Sequence, residues 1–412
     1  MRGPEVRPIV IAAGGTGGHF YPAEALAAVL VRRGHWVVLM TDARTVIARG
    51  SVFDARNQYV VPAAGIAGRG AARAGKAIFS LAAGVARARG ILARIRPAAV
   101  IAFGGYPAIP PVLASRLVRC RPPVILHEQN AVLGRANRFL ARHARVLALS
   151  FAETSRVPPK VNRLVTGNPV RPAVAALSEA AYEPPPGPKH DGSILGGSIR
   201  ILVLGGSLGA RVFSEIVPSA IARLPDAIRA RLMIIQQCRA EDLEQVRATY
   251  AAKGVSAELA TFFADVADRL NAAHLVIARA GASTVAELAV AGRPSILVPL
   301  PGAIDDHQSA NARALADAGG SWVMPQSGFT VDALAERLTS LLSDSASLAQ
   351  GAMHARLVAR VGAADALADL VEQVMRETAP APIEPASAAP LRGQSGRPKT
   401  TRAGEQPRMG QS

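Results

Sequence analysis

The chain has 412 residues, with 47 Lys+Arg against 30 Asp+Glu and a formal net charge of +17. Its length predicts two or three domains of roughly 100–200 residues each, and a 50% hydrophobic content excludes a wholly disordered chain. Cys120 and Cys238 are the only cysteines, which excludes a disulfide framework or a Cys-rich zinc site and fits a reduced compartment.

The first forty residues read as strand, tight turn, helix, strand. Pro8–Ala13 is a continuous apolar run of the kind buried in parallel sheets, and Gly14–Gly18 turns the chain. Tyr21–Arg33 is helical and ends at Gly34, and His35–Met40 is the next strand. Pro97–Ser115 is uncharged, but its glycines and prolines predict a buried strand (Ala98–Phe103), a loop and a short helix, not a membrane span. Strands are predicted at Pro123–Leu126, Arg145–Ala148 and Asn162–Thr166, with helices between them.

Residues 183–197 are rich in Pro and Gly and read as a linker or surface insertion. The pattern then restarts: strand Ile201–Leu204, turn Gly205–Gly209 and helix Ala210–Ile221, with Pro218 predicted to kink or end that helix. Strands follow at Leu232–Gln236, Leu275–Ala278 and Ser295–Pro299. Two strand–glycine-loop–helix openings in one chain predict an α/β protein with two Rossmann-like domains facing each other. The expected boundaries are 1–172, a linker at 173–199, 200–352, a returning C-terminal helix at 353–377 and a disordered Pro-rich tail at 378–412.

Neither glycine loop is a dinucleotide fingerprint. Phe20 stands where the first would need its third glycine, and the second also lacks the lysine of a P-loop. Glycines and a helix N-terminus still suit an oxyanion, although a plain βα turn explains either loop. Arg279–Glu287 follows a strand and places Ser283, Thr284 and Glu287 at a helix start. On spacing alone this is either a diphosphate and ribose site or an ordinary capping box. His127-Glu128-Gln129-Asn130 and Asp305-Asp306-His307-Gln308…Asn311 follow strands and offer hydrogen-bonding groups to a sugar. Neither has convincing metal spacing.

These segments, with Phe103–Tyr106 and Thr166–Arg171, occur in an order that resembles the MurG family, the UDP-N-acetylglucosamine–lipid I N-acetylglucosaminyltransferases of peptidoglycan synthesis. The matching pieces run from residue 14 to 311. The resemblance implies a GT-B glycosyltransferase fold and transfer of N-acetylglucosamine from UDP to the muramoyl sugar of lipid I, β-1,4 and inverting, without a cofactor or metal. Carried over by position, Ser207, Ala282, Ser283 and Thr284 would hold the diphosphate, Glu287 the ribose and the Phe263 backbone the uracil. Arg171 belongs to the same nucleotide site, Asn130 and Gln308 would contact the sugar, and Thr16, Gly17 and Gly18 would reach in from the first domain. Leu208, His307 and the Gln236–Arg239 loop depart from the usual pattern. The rival within this fold is another UDP-sugar enzyme such as a UDP-N-acetylglucosamine 2-epimerase.

Inversion needs a base for the acceptor hydroxyl; His19 is the first candidate and Glu128 the second. Lipid I is membrane-anchored, so the resemblance implies a peripheral protein at the cytoplasmic face of the bacterial inner membrane, alongside cell-wall synthesis and division proteins. Arg69, Arg73, Lys76, Arg87, Arg89, Arg94 and Arg96 flank the apolar stretch Ala77–Val85, which reads either as a patch for anionic lipid or as an amphipathic surface helix. Nucleic acid is not an expected partner: 4% aromatic residues are few, and none is interleaved with a basic run as stacking requires.

Overall fold

The computed structural model describes residues 7–15, 17–45, 47, 51–53, 57–63, 71–186, 197–206, 209–378 and 410. Of the predicted tail, Thr378 closes the last helix and 379–409, 411 and 412 lie outside the described residues, as do the centre of the predicted insertion, Thr16, Ser207 and Leu208. The first half contributes seven strands: β1 (Ile9–Ala12), β2 (Val37–Thr41), β3 (Gln58–Val60), β4 (Ala99–Ala102), β5 (Val124–Glu128), β6 (Val146–Leu149) and β7 (Arg163–Val165). The second half contributes six: β8 (Ile199–Leu204), β9 (Leu232–Gln237), β10 (Ser256–Ala260), β11 (Leu275–Ala278), β12 (Ser295–Leu297) and β13 (Ser321–Val323). Interleaved helices are α1 (Gly17–Arg32), α2 (Ala71–Ile95), α3 (Ile109–Ser115), α4 (Arg135–Leu140) and α5 (Pro172–Ala175). In the second half they are α6 (Arg211–Ala222), α7 (Asp226–Arg229), α8 (Leu243–Ala251), α9 (Val266–Ala272), α10 (Ala282–Ala291), α11 (His307–Ala316), α12 (Val331–Leu342), α13 (Ser345–Leu357) and α14 (Ala363–Thr378).

The strands form two parallel sheets, ordered β3-β2-β1-β4-β5-β6-β7 and β10-β9-β8-β11-β12-β13. Their central strands are apolar on both faces because helices cover both: β1, β4 and β11 are buried at every position. Each sheet reverses its winding beside its first strand, between β1 and β4 and between β8 and β11. Ligands of such sheets bind beyond the carboxyl ends of the strands at these reversals. The registers Ala12↔Ala102 and Ala278↔Leu204 level the strand ends, so Gly14 and Gly15 after β1 stand on the same side as Gly104–Gly105 after β4, and Gly205–Gly206 after β8 on the same side as Arg279–Thr284 after β11.

The core strands match the predictions closely, whereas β3, β10 and β13 were not foreseen. The first is half-exposed, and the other two lie at the edges of their sheet. α6 runs through Pro218 to Ala222; the proline is buried inside it and does not end it. Within 353–377, the residues to Leu357 continue α13, and the returning helix is α14. Its Leu367, Ala368, Val371 and Val374 are buried in the first sheet's core. Arg33 at the end of α1 pairs with Asp365, Asp369 and Glu372 on α14. No helix among the described residues is long and apolar enough to cross a membrane.

Candidate active site

A cavity of about 900 Å³ is lined from both sheets: by Gly17, Gly18, His19 and Tyr21 of α1, by Gln129 and Asn130 after β5, and by the two loops that follow β8 and β11. Arg171, Phe263, Ala282, Ser283, Thr284, Glu287 and Gln308 line it too. Four arginines (Arg171, Arg211, Arg239 and Arg279) face it against one carboxylate, Glu287. The lining is therefore cationic, and the N-terminal turns of α1 and α10 add the positive ends of two helices. Such a space suits a dianionic diphosphate.

α1 begins earlier than its apolar pattern indicated. Gly17 is its first residue, so His19 sits in the first turn and projects into the cavity. Gly105, at φ +68°, permits this: a Cβ there would approach His19 Cδ2 to 3.3 Å. His19 Nδ1 lies 2.8 Å from Gln129 Oε1.

His127 and Glu128 belong to β5 itself and are buried, not to the loop predicted after it. His127 is fully enclosed against the Phe103 ring at 5.1 Å, and burial lowers its pKa to about 4. Glu128 is outside the cavity lining. Its Oε1 accepts from Asn130 N and Nδ2, both at 3.0 Å, and its Oε2 from Gly134 N and Asn137 Nδ2, both at 2.9 Å. A carboxylate so occupied organises the turn after β5 and presents no free lone pair to an acceptor.

Asn130 is held from both sides. Its Nδ2 donates to Glu128, and its Oδ1 accepts from Asn311 Nδ2 at 3.1 Å. Asn311, buried on α11, also accepts from Ala131 N at 2.8 Å and donates to the Ala280 carbonyl at 3.1 Å, so one amide joins β5, α11 and the loop before α10. Gln308 Oε1 accepts from Leu300 N at 2.9 Å, and Ser283 donates to the Gly18 carbonyl at 3.3 Å. Phe263 is buried beneath the Arg269 guanidinium, 4.1 Å from the ring centroid.

The segment Arg279–Glu287 does not form a capping box. The N-cap of α10 is Gly281, which offers no side-chain cap, and Glu287 receives two 2.7 Å hydrogen bonds from Arg171. Burial opposes the Arg171 charge, but Glu287 outweighs it and the pKa is raised. Sequence reasoning gave no site role to Tyr21, whose ring lies 5.3 Å from the Arg171 guanidinium, or to the lining residues Arg211, Arg239 and Gln326. The partners of Tyr21 and Gln326, Arg171 and Arg279, are remote in sequence; Arg211 and Arg239 pair locally with Glu215 and Glu241, which reads as an ordinary surface ion pair.

Two sheets whose reversal points share one cleft define the fold of GT-B glycosyltransferases. Residues 9–148 match the glycosyltransferase family 28 N-terminal domain and residues 200–373 its C-terminal domain. A Granulibacter bethesdensis protein, named UDP-N-acetylglucosamine–N-acetylmuramyl-(pentapeptide) pyrophosphoryl-undecaprenol N-acetylglucosamine transferase, is 59% identical over 91% of this chain and 96% of its own length. A Paramagnetospirillum magneticum protein of the same name is 54% identical over 88% and 95%. The crystal structure of Acinetobacter baumannii MurG is similar at TM-score 0.69 and 31% identity, over 89% of this chain and 99% of that one. The chain belongs to the MurG family of glycosyltransferase family 28. A Listeria monocytogenes putative UDP-N-acetylglucosamine 2-epimerase shares the fold alone, at TM-score 0.63 and 14% identity.

Proposed function

We infer that this cleft joins N-acetylglucosamine to lipid I. The chain is an N-acetylglucosaminyltransferase that uses UDP-N-acetylglucosamine and forms lipid II, as its family membership requires. The observation that best supports the residue-level reading is the cationic cavity bracketed by two helix N-termini. The loop after β8, the start of α10 (Ala282, Ser283, Thr284) and Ser207 take the diphosphate, Glu287 takes the ribose hydroxyls under the hold of Arg171, and the Phe263 backbone takes the uracil. Asn130 and Gln308 present amides to the sugar, with Thr16, Gly17 and Gly18 closing from the other side.

His19 is the base. Its Nε2 takes the proton of the muramoyl 4-hydroxyl as that oxygen attacks the anomeric carbon. The bond from that carbon to the diphosphate oxygen breaks, and UDP leaves with the electron pair. Attack from the opposite face converts the α-linked donor into a β-1,4 product. Glu128, with both oxygens engaged, serves as the anchor of Asn130. The UDP-sugar 2-epimerase reading is separated by one assay: incubation with UDP-N-acetylglucosamine and a lipid I analogue gives disaccharide and UDP. Formation of UDP-N-acetylmannosamine without disaccharide would overturn the transfer reading.

The surface that meets the membrane is the start of α2 and its neighbours. Ile78 and Phe79 are 65% and 76% exposed, with Leu117 and Phe139 also exposed, and Arg87, Arg89 and Arg94 line the same helix. Arg142 lies 5.3 Å over the Phe139 ring. Exposed apolar side chains beside arginines suit the headgroup region of an anionic bilayer, which supports the reading of a peripheral protein at the cytoplasmic face of the membrane. The Arg69, Arg73 and Lys76 side chains lie outside the described residues.

A further inference from the structure

We propose that Gln129 and His127 are positioning residues that hold His19 in the tautomer protonated at Nδ1, so that Nε2 is left to receive the acceptor's proton. The proposal deepens the reading of His19 as base and rests on it. The proton assignments follow from two backbone carbonyls, which can only accept. His127 Nε2 lies 3.0 Å from the Gly167 carbonyl, so it must carry a hydrogen. The enclosed ring is neutral at physiological pH, so its Nδ1 is bare and accepts from Gln129 Nε2 at 3.0 Å. The same amide nitrogen lies 3.2 Å from the His127 carbonyl.

Two acceptors on one side of the amide fix its orientation, because only its nitrogen can donate to both. Flipping it would set Gln129 Oε1 against the His127 carbonyl and Nδ1 together. The correct orientation turns Oε1 toward His19, whose Nδ1 must then donate across 2.8 Å. Gln129 is 1% exposed and His127 0%, so water does not compete at the contact between them.

The far end of the relay is anchored where the halves of the chain cross. Gly167 follows β7, and at φ +87° it packs so tightly that a Cβ would lie 2.5 Å from Arg360 Cβ and 2.9 Å from Ala363 Cβ. The carbonyl that dictates the first proton therefore sits on closely packed backbone, against the segment leading into α14. A ring held by one such hydrogen bond is restricted in both tautomer and rotation, the pre-organisation that a general base needs.

The test is a two-bond proton–nitrogen correlation spectrum of the full-length enzyme labelled with nitrogen-15 histidine, at neutral pH, with the His19 signal identified by its loss in His19→Ala. The expected spectrum has a protonated-type Nδ1 and a bare-type Nε2 for His19; the reverse pattern overturns the proposal without any mutation. Gln129→Leu is expected to average the two nitrogens and lower kcat about tenfold, with KM for UDP-N-acetylglucosamine unchanged within about twofold. A Gln129→Leu spectrum identical to wild type would also refute the relay. Averaged nitrogens with undiminished kcat would instead retain the tautomer assignment and remove His19 as the base.

Discussion

Arg171 and Glu287 are 116 residues apart in sequence and meet in the cleft through two hydrogen bonds, Nε to Oε1 and Nη2 to Oε2, each 2.7 Å. The pair ties the segment between the two sheets to the second turn of α10 and leaves the outer lone pairs of the carboxylate toward the cavity. Bidentate geometry fixes the carboxylate plane, which a ribose diol then finds already oriented. Glu287→Gln is expected to raise KM for UDP-N-acetylglucosamine at least about tenfold, roughly 1.4 kcal/mol, with a smaller change in kcat. Calorimetric titration with UDP checks it; unchanged UDP affinity would show that the carboxylate serves only the fold.

Glu128 makes a contrasting prediction. An amide at this position turns a donor toward backbone and asparagine N–H groups that now find acceptors, so Glu128→Gln is expected to cost about 2–4 kcal/mol of stability. Activity should fall in proportion to the displacement of Asn130. Thermal denaturation beside steady-state kinetics separates the roles. Turnover lost a hundredfold at an unchanged melting temperature would make Glu128 the base.

His127 links the relay to stability. Burial lowers its pKa to about 4, below the ordinary 6.5, so the unfolded chain binds more protons between those values. Stability is then fully present above about pH 6.5 and declines as pH falls toward 4, by roughly 3 kcal/mol for this group. Denaturant titrations at several pH values should show the decline, and His127→Gln should flatten it. An equal slope in the variant would place the acid sensitivity elsewhere, His274 being the other histidine lowered to about 4.

Membrane association is predicted to combine apolar and ionic contributions. Replacing Ile78 and Phe79 with serine is expected to lower co-sedimentation with anionic vesicles more than tenfold, at about 1.5–3 kcal/mol per buried side chain. Added salt should weaken wild-type binding. Equal binding to neutral and anionic vesicles would remove the ionic part of the account.

The α/β fold was legible because buried parallel strands carry uninterrupted apolar runs: Ile9–Ala12 and Leu275–Ala278 announce themselves without their neighbours. β3 was not, since its residues are only half-buried and lack the continuous run. The site divided in the same way. Glycine loops and polar strand ends marked where the cavity lies, but Glu287 read equally well as its own helix's cap, because its true partner comes from residue 171. Glu128 and Asn130 looked alike as polar groups after a strand; burial alone separates the anchor from the residue it presents. Gln129 was visible within its motif, yet its role depends on a carbonyl at Gly167 that no local pattern reveals.

The central claim is that His19 performs the proton transfer and not the binding of the nucleotide. Single-turnover transfer to a lipid I analogue by His19→Ala, measured with UDP affinity on the same preparation, tests it most directly. The account predicts a rate at least about a hundredfold below wild type with UDP affinity within about twofold. Equal losses in rate and affinity, or a rate near wild type, would contradict it.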